Sequence, residues 1–377
     1  MAVDRCPVGS DPGREELTAD MIDSFAFETA PGRVVFGRGA LSRLPEEVER
    51  LRAEHVLVLA TAGRAEQCAA AAALLGSRSV GILAEARMHT PVEVTERALV
   101  TVAERKVDCL LAVGGGSTVG LDKAIALRTD LPQIVVPTTY AGSEMTDVVG
   151  ETSEGVKTTK RSPRIRPEVV VYDVDLTLSV PPRTTAASCF NAIAHAVEAL
   201  YAKDSNPLTS LMAEEGARSL VSALPSIMQD PLDIPARSEA LYGAWLCACC
   251  LASAGMALHH KLCHTLGGLL GLPHAETHAI LLPHALAYNA PAAPRAVDRL
   301  SRALGAPDPA VALQDLAGRC GLPMALGELG MRESDLDRAA DLGSANAYWN
   351  PRPIDKHVLK LLLTRAFRGD RPDRLAN

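Results

Sequence analysis

The chain has 377 residues, of which 47% are hydrophobic and 22% charged, and its formal net charge is −7. That acidic balance excludes the basic face a nucleic-acid binder needs, and no apolar run approaches the roughly 18 residues that span a bilayer. The length allows two domains, because a single core seldom grows to this size.

Aromatic residues make up only 3% of the chain, so the core must be built from Ala, Leu and Val, which suits closely packed helices. The N-terminal stretch MAVDRCPVGSDPGREELTADMID is polar and acidic, without the basic-then-apolar pattern of a secretory leader. Residues 1–22 therefore read as a loose tail, and the protein as cytoplasmic. Nine cysteines, Cys6, Cys68, Cys109, Cys189, Cys247, Cys249, Cys250, Cys263 and Cys320, lie mostly in apolar segments, as reduced core thiols do. The run CACC at 247–250 has no second cysteine pair to complete a zinc site.

From residue 56 the chain alternates strand and helix signals. VLVLA (56–60) is a strand and AEQCAAAAALLG a helix; SVGIL (79–83) is a strand and EVTERALVTVAERK (93–106) an amphipathic helix. CLLAVGGGS (109–117) runs from a strand into glycines, TVGLDKAIAL follows as a helix, and QIVVPTT (133–139) is the next strand. PEVVVYDVDLTLSVPP (167–182) reads as one more strand with a proline-marked exit. Strands separated by helices of this length predict a parallel, doubly wound α/β sheet. Beyond about residue 182 the segments are Ala/Leu-rich with helical periodicity. The expected fold is thus an α/β domain with a parallel Rossmann-like sheet over 23–180 and an all-α domain over 181–377, with the active site in the cleft between them.

The sequence VGGGSTVGLDKAIA puts Gly115, Gly116 and Ser117 between a strand and a helix start. Glycines admit close approach of a ligand, and the free N–H groups of a helix start favour phosphate. The pattern is neither GxGxxG nor a P-loop, so alone it is equally a tight turn. A second strand end, PTTYAGSE, supplies Thr138, Thr139 and Ser143, and ligands of open α/β sheets bind at the carboxyl ends of strands. Two such loops on one edge point to a dinucleotide. The end of VLVLATAGR offers Thr61 and Arg64 but no carboxylate, which leaves both NADH and NADPH acceptable.

Five of the ten histidines fall in LHHKLCHTLGGLLGLPHAETH, residues 258–278. His260 and His264 share a helix face, as do Asn191 and His195 in FNAIAHAVEALY. Metal ligation and acid–base catalysis are both open to such a set.

Together GGGS, PTTYAGSE, NAIAHAVEALY and HHKLCHTLGGLLGLPHAETHAILLPHALAYN resemble the iron-containing alcohol dehydrogenase superfamily, and within it the maleylacetate reductases. The likeness runs from RVVFGRGAL at residue 33 to YWNPRPI and AFRGDRP near the C-terminus. Metal-dependent members hold iron or zinc with an aspartate four residues before a histidine and two later histidines. The histidines are matched by His195, His260 and His274, but Asn191 stands at the aspartate position. The resemblance therefore implies a vestigial metal site and no metal cofactor, since a neutral amide is a poor ligand for a hard cation. It further implies NADH- or NADPH-dependent reduction of an unsaturated oxo-dicarboxylate, and a homodimer.

By the same resemblance the catalytic set is His260 and His264, which serve the oxyanion and the proton, with His195 and His274 orienting substrate. Tyr140 would add a hydrogen bond, and Lys157 would face the cleft. The basic run 157–166 is otherwise a solvated surface loop. Asp147 stands where such a sequence carries proline, and RIRPEVVVYDVD is unusually basic, which bears on the exact substrate. The other readings are a metal-dependent alcohol dehydrogenase, a reductase of another unsaturated oxo acid in biosynthesis, and a non-catalytic dinucleotide-binding protein.

Overall fold

Short β-branched and leucine runs make the strands because each residue can bury one face of the pleat, and their alternation shows which helices cover which face. The computed structural model describes residues 32–154, 156–345 and 348–373, so the expected tail at 1–22 lies outside the described residues. The strands are β1 (Arg33–Gly37), β2 (Val56–Leu59), β3 (Ser79–Leu83), β4 (Cys109–Gly114), β5 (Gln133–Pro137), β6 (Val148–Ser153), β7 (Val156–Arg161) and β8 (Val169–Asp173). The helices of the first half are α1 (Leu44–Arg50), α2 (Ala65–Leu75), α3 (Val92–Glu104) and α4 (Gly116–Thr129). The second half contributes α5 (Pro182–Leu200), α6 (Pro207–Gln229), α7 (Ile234–Ser253), α8 (Leu258–Leu270), α9 (His274–Asn289), α10 (Pro294–Leu304), α11 (Pro309–Arg319), α12 (Leu336–Ser344) and α13 (Lys356–Arg368).

Six strands form one parallel sheet in the order β1-β8-β5-β4-β2-β3. One row of side chains crosses it through Val58, Leu111, Ile134 and Val169 and packs with Leu44 and Val48 of α1 and Ala71 and Leu75 of α2. On the opposite face Leu57, Leu59 and Leu110 meet Val94, Ala98 and Val102 of α3 and Leu121, Ala124 and Ile125 of α4. With both faces covered, these strands can be apolar throughout. From β2 the chain steps outward to β3, whereas β4 and β5 build the other way. The crevice of a doubly wound sheet opens at such a reversal, beyond the strands' carboxyl ends. Gly114–Gly116 lie there, at the end of β4.

Two features escape the sequence reading. β1 is a short strand at the sheet edge, and β6 and β7 form a separate antiparallel hairpin. The run 157–166 is therefore not an irregular loop over its first half. Polar residues on both sides of VKTTKR remove the alternation that marks a strand. Ion pairs hold the hairpin instead: buried Glu151 lies 2.9 Å from Arg128 of α4 and 3.3 Å from Lys160, and Asp147 lies 3.1 Å from Arg161.

In the helical half α5 is central, buried without a break from Thr185 to Leu200. α6 and α7 cross at glycines, so that a Cβ on Gly243 would lie 2.9 Å from the Gly216 carbonyl oxygen, and one on Gly216 would lie 3.1 Å from the Gly243 carbonyl. No single described helix is long and apolar enough to cross a membrane. All described cysteines are free thiols, mostly buried, including those of the CACC run within α7.

Gly243→Ala is expected to destabilise the fold by about 1–3 kcal/mol, because overpacking against a backbone oxygen outweighs the roughly 1 kcal/mol gained in helix propensity. Denaturant unfolding of the variant and the parent measures this, and an unchanged midpoint would show that the crossing tolerates a methyl group.

Candidate active site

The nucleotide edge is built from glycines and hydroxyls at the ends of β4 and β5. Gly115 caps α4, and a Cβ there would lie 3.0 Å from Thr139 Oγ1, while one at Gly114 would lie 2.4 Å from Thr118 Oγ1. Gly116 is exposed with nothing near its missing side chain, and Ser117 beside it is half-buried. The start of α4 is thus open to a ligand's phosphate. Thr118 Oγ1 and Thr138 Oγ1 are buried without a partner, a state that usually signals an absent ligand or water. Thr61 is half-buried just past β2, next to the crevice. These residues fit a bound dinucleotide.

Lys123 braces the loop after β5 from beneath. Its Nζ donates to the carbonyls of Ser143 (2.5 Å), Thr146 (2.7 Å) and Val148 (3.1 Å), and to Thr146 Oγ1 (2.8 Å). Burial lowers its pKa to about 7 against the opposing pull of Glu144, Asp122 and Asp147. Glu144 is itself buried and accepts the Tyr172 hydroxyl at 2.9 Å. The loop then touches the helical half: a Cβ on Gly142 would lie 3.4 Å from His195 Cε1 and 3.3 Å from the Ala248 Cβ.

Under that contact six histidines form one continuous cluster in three layers. His195 and His260 stack with ring centres 5.1 Å apart, and both are buried. Behind them His259 and His278 are fully buried, with Nε2 of the first 2.9 Å from Nδ1 of the second. In front, His264 and His274 stack at 6.3 Å and are exposed. His274 approaches His278 at 4.4 Å and His264 approaches His260 at 6.2 Å, joining the layers. Asn191 Oδ1, His195 Nδ1, His260 Nε2 and His278 Nε2 are all buried without a partner.

A carboxylate absent from the sequence-based set holds the cluster. Glu198 is fully buried, one turn beyond His195 on α5, and accepts His260 Nδ1 at 2.7 Å. It also accepts the backbone N–H groups of Ala257 (2.9 Å) and His259 (2.7 Å) at the start of α8. A third N–H there, from Leu258, goes to Asn350 Oδ1 at 3.3 Å. The H-x-x-E spacing of His195 and Glu198 was the signal in the sequence, since residues three apart share a helix face.

Two expected site residues fare differently. Tyr140 has a fully buried side chain, with its hydroxyl 3.5 Å from Arg237 Nη1, and burial raises its pKa. It belongs to the packing between α5 and α7, because Arg237, also buried, needs acceptors and finds them in Thr185 Oγ1, the Val180 carbonyl and the Pro231 carbonyl. Lys157 sits on β7 opposite Thr152, and its side chain lies outside the described residues. Arg161 and Lys160 are engaged by acids of the hairpin, and Arg164 pairs with Asp130 at 3.7 Å. Lys261 lies over the Tyr348 ring at 5.7 Å.

The vestigial metal positions do not fit a hard divalent ion. Asn191, His195, His260 and His274 carry no anionic group, and the first three are buried, so no side chain among them would offset the charge of a cation bound there. Among the described residues, the donors that do lie within 4.8 Å of one another are His259, Cys263 and His278. Their donor atoms already bond one another, with Cys263 Sγ 3.6 Å from His259 Nε2. Burial, with Glu198 nearby, raises the Cys263 pKa well above the ordinary thiol value.

Comparison with known proteins agrees with this architecture. Residues 31–174 match the iron-containing alcohol dehydrogenase family, and residues 185–367 match the Fe-containing alcohol dehydrogenase family, C-terminal. The chain belongs to the iron-containing alcohol dehydrogenase family. Within it, the chain is 52% identical to a maleylacetate reductase of Rhizobium sp. (strain MTP-10005), over 93% of this chain and 99% of that protein. It is 49% identical to one of Burkholderia cepacia, over 93% and 100%. The crystal structure of maleylacetate reductase from Agrobacterium tumefaciens superposes with a TM-score of 0.91 at 52% identity, covering 93% of this chain and 100% of that one. The chain is an oxidoreductase of this kind.

Burial, reinforced by the neighbouring rings, holds His195, His259 and His278 well below the ordinary imidazole pKa. Below about pH 6.5 the unfolded chain takes up protons that these folded rings refuse, so the unfolded state binds more protons and stability is lost as pH falls. Denaturant unfolding at about pH 7 and about pH 5 is expected to show lower stability at the acidic value, by a smaller margin once His259 and His278 are both replaced by Gln. An equal margin in both proteins would show that the rings do not carry the effect.

Proposed function

We propose that this chain reduces the C=C bond of maleylacetate to give 3-oxoadipate, with NADH or NADPH as reductant and no metal, in the breakdown of aromatic compounds. The protein would act in the cytoplasm as a homodimer on a free small-molecule dicarboxylate. The observation that carries the reading is the histidine cluster against the nucleotide edge, with a carboxamide, Asn191, where a metal site needs an acid. Relatives about half identical over nearly the whole chain bear the corresponding name.

A dinucleotide held at the ends of β4 and β5 would supply the hydride that the alkene carbon β to the ketone receives. Charge then develops on the ketone oxygen as an enolate, and the α carbon needs a proton. Preorganised donors aimed at such an oxygen stabilise it strongly in a site shielded from water, and a positioned acid contributes typically 10²–10⁴-fold. In this assignment His260 and His264 serve the enolate and the proton, while His195 and His274 orient the substrate. Gly115, Gly116, Ser117, Thr138, Thr139, Ser143 and Thr61 hold the dinucleotide, and Lys157 is assigned to a substrate carboxylate. Reduction of a ketone by an alcohol dehydrogenase, in contrast, calls for a Lewis acid on the oxygen, which the neutral donor set at Asn191 does not favour. The enone needs less, because its charge is delocalised and reaches the oxygen through the conjugated system.

Nicotinamide absorbance, followed with maleylacetate before and after exhaustive chelation, tests the proposal. The expected outcome is equal oxidation of cofactor in both conditions. Loss of activity on chelation and recovery with Fe²⁺ or Zn²⁺ would restore the metal-dependent reading, and no oxidation of either cofactor would remove the substrate assignment. Asn191→Asp is expected to bind Zn²⁺ in isothermal titration where the parent chain does not, and equal uptake by both would remove the charge argument.

A further inference from the structure

We propose that Lys123 is a positioning residue for the dinucleotide: its ammonium, reaching out from α4, holds the loop 138–148 in the shape that receives the cofactor. The cofactor's identity rests on the reductase reading above. Lys123 is fully buried, so it acts through the loop and not by touching the ligand. The nucleotide cradle has two walls, the start of α4 and the loop after β5. At the near end the walls are tied together, because the Thr138 N–H donates to the Gly114 carbonyl at 3.0 Å and a Cβ on Gly115 would lie 3.0 Å from Thr139 Oγ1. The far end has no strand to hold it until β6 begins at Val148.

Lys123 supplies that far anchor. A lysine ammonium has three protons to donate and accepts nothing. Here it meets the Ser143, Thr146 and Val148 carbonyls and Thr146 Oγ1, all within 3.1 Å. Most of these acceptors are backbone groups, so the contact fixes the path of the chain and not merely one side chain. The Ser143 carbonyl also closes the short 3-10 turn Ser143–Met145 by accepting the Thr146 N–H at 3.2 Å, and an isolated turn of this length is marginal without outside support. Other bonds reach the loop earlier, from the Tyr140 N–H to Ser188 Oγ at 3.1 Å and from the Tyr172 hydroxyl to Glu144 at 2.9 Å. Between Glu144 and Asp147, which pairs with Arg161 and Arg166, the polar tie is Lys123. An apolar side chain would fill the same buried space without donating to any of these groups, and burying an amine is costly unless its bonds are made.

The brace bears on the cofactor because the ligand-facing atoms lie on the same short loop. Thr138 Oγ1 is buried without a partner, and Thr139 and Ser143 are half-buried beside the crevice. A loop released at its far end would sample other shapes, and ordering it again on binding would lower the apparent affinity. The histidine rings stand on α5, α8 and α9, and Lys123 bonds to none of those helices. Loss of the brace should therefore fall on the dinucleotide and spare the substrate.

NADH binding, followed by the fluorescence of the bound nicotinamide, is compared in the parent, Lys123→Met and Lys123→Ala, and steady-state rates with maleylacetate follow. Methionine matches the length of lysine without its donors, and alanine leaves room for a small cation. Kd for NADH is expected to rise about tenfold or more in both variants, as loss of hydrogen bonds from a charged group implies. KM for NADH should rise in step, with KM for maleylacetate within about threefold of the parent. In Lys123→Ala, ammonium chloride is expected to restore part of the affinity, and sodium chloride at the same concentration to restore none. Folded Lys123→Met that binds NADH within about threefold of the parent would overturn the assignment. Equal recovery with both salts, or equal rises in the two KM values, would overturn it as well, because packing alone would then be at work. If Lys123→Met fails to fold, Lys123→Gln, which keeps two N–H donors, takes its place against the same threshold. A parent that binds NADH yet does not reduce maleylacetate ends the reductase reading, while the Kd comparison still decides the role of Lys123. A parent that binds neither NADH nor NADPH removes both.

Discussion

A single buried carboxylate ties the two helices that matter most. Glu198 leaves the central helix α5 and receives the first N–H groups of α8 together with the His260 ring. A buried polar group without partners would be costly, and the two backbone N–H groups and the ring nitrogen supply them. Because the same oxygens cap α8 and orient His260, helix placement and ring placement are one event. The other histidines take positions from it: His195 stacks on His260, His259 follows the cap, and His264 lies one turn farther along α8.

The opposite wall depends on a different arrangement. The parallel sheet brings every strand's carboxyl end to one edge, so the GGGS turn and the TTYAGSE loop become neighbours although some twenty residues separate them. Lys123 fixes the second loop by donating mostly to its carbonyls, and the Thr138 and Thr118 hydroxyls beside it have no protein partner. Gly142 brings this wall so near His195 that a Cβ on it would lie 3.4 Å from the ring's Cε1. A cofactor along the sheet edge and a substrate against the histidines would therefore share one cleft.

Replacing an acidic ligand by Asn191 changes what the cluster can do. Four neutral donors do not compensate a divalent cation, but neutral and singly protonated imidazoles suit an enolate. Burial keeps three of the rings deprotonated, so a proton would be carried by few sites rather than shared among all six.

Much of this was legible in the amino-acid order. Period-two and apolar runs mark β2 to β5 and β8, glycines mark the turn before α4, and the i, i+4 spacings put His260 with His264 and Asn191 with His195. Edge strand β1 and hairpin β6–β7 were not legible, because a short edge strand and a strand polar on both faces lack the alternation that burial imposes. Tyr140 read as a site residue because its neighbours are, yet its direction is set by buried Arg237, which lies 97 residues away in the chain. Glu198 had only its H-x-x-E spacing to mark it: a glutamate in a helix looks like a solvated charge until the start of α8, 59 residues later, donates to it. The sequence by itself determined the fold class and the donor inventory, since both follow from local pattern and residue chemistry. Only the tertiary structure decided which donors meet, because that depends on burial and on partners remote in the chain.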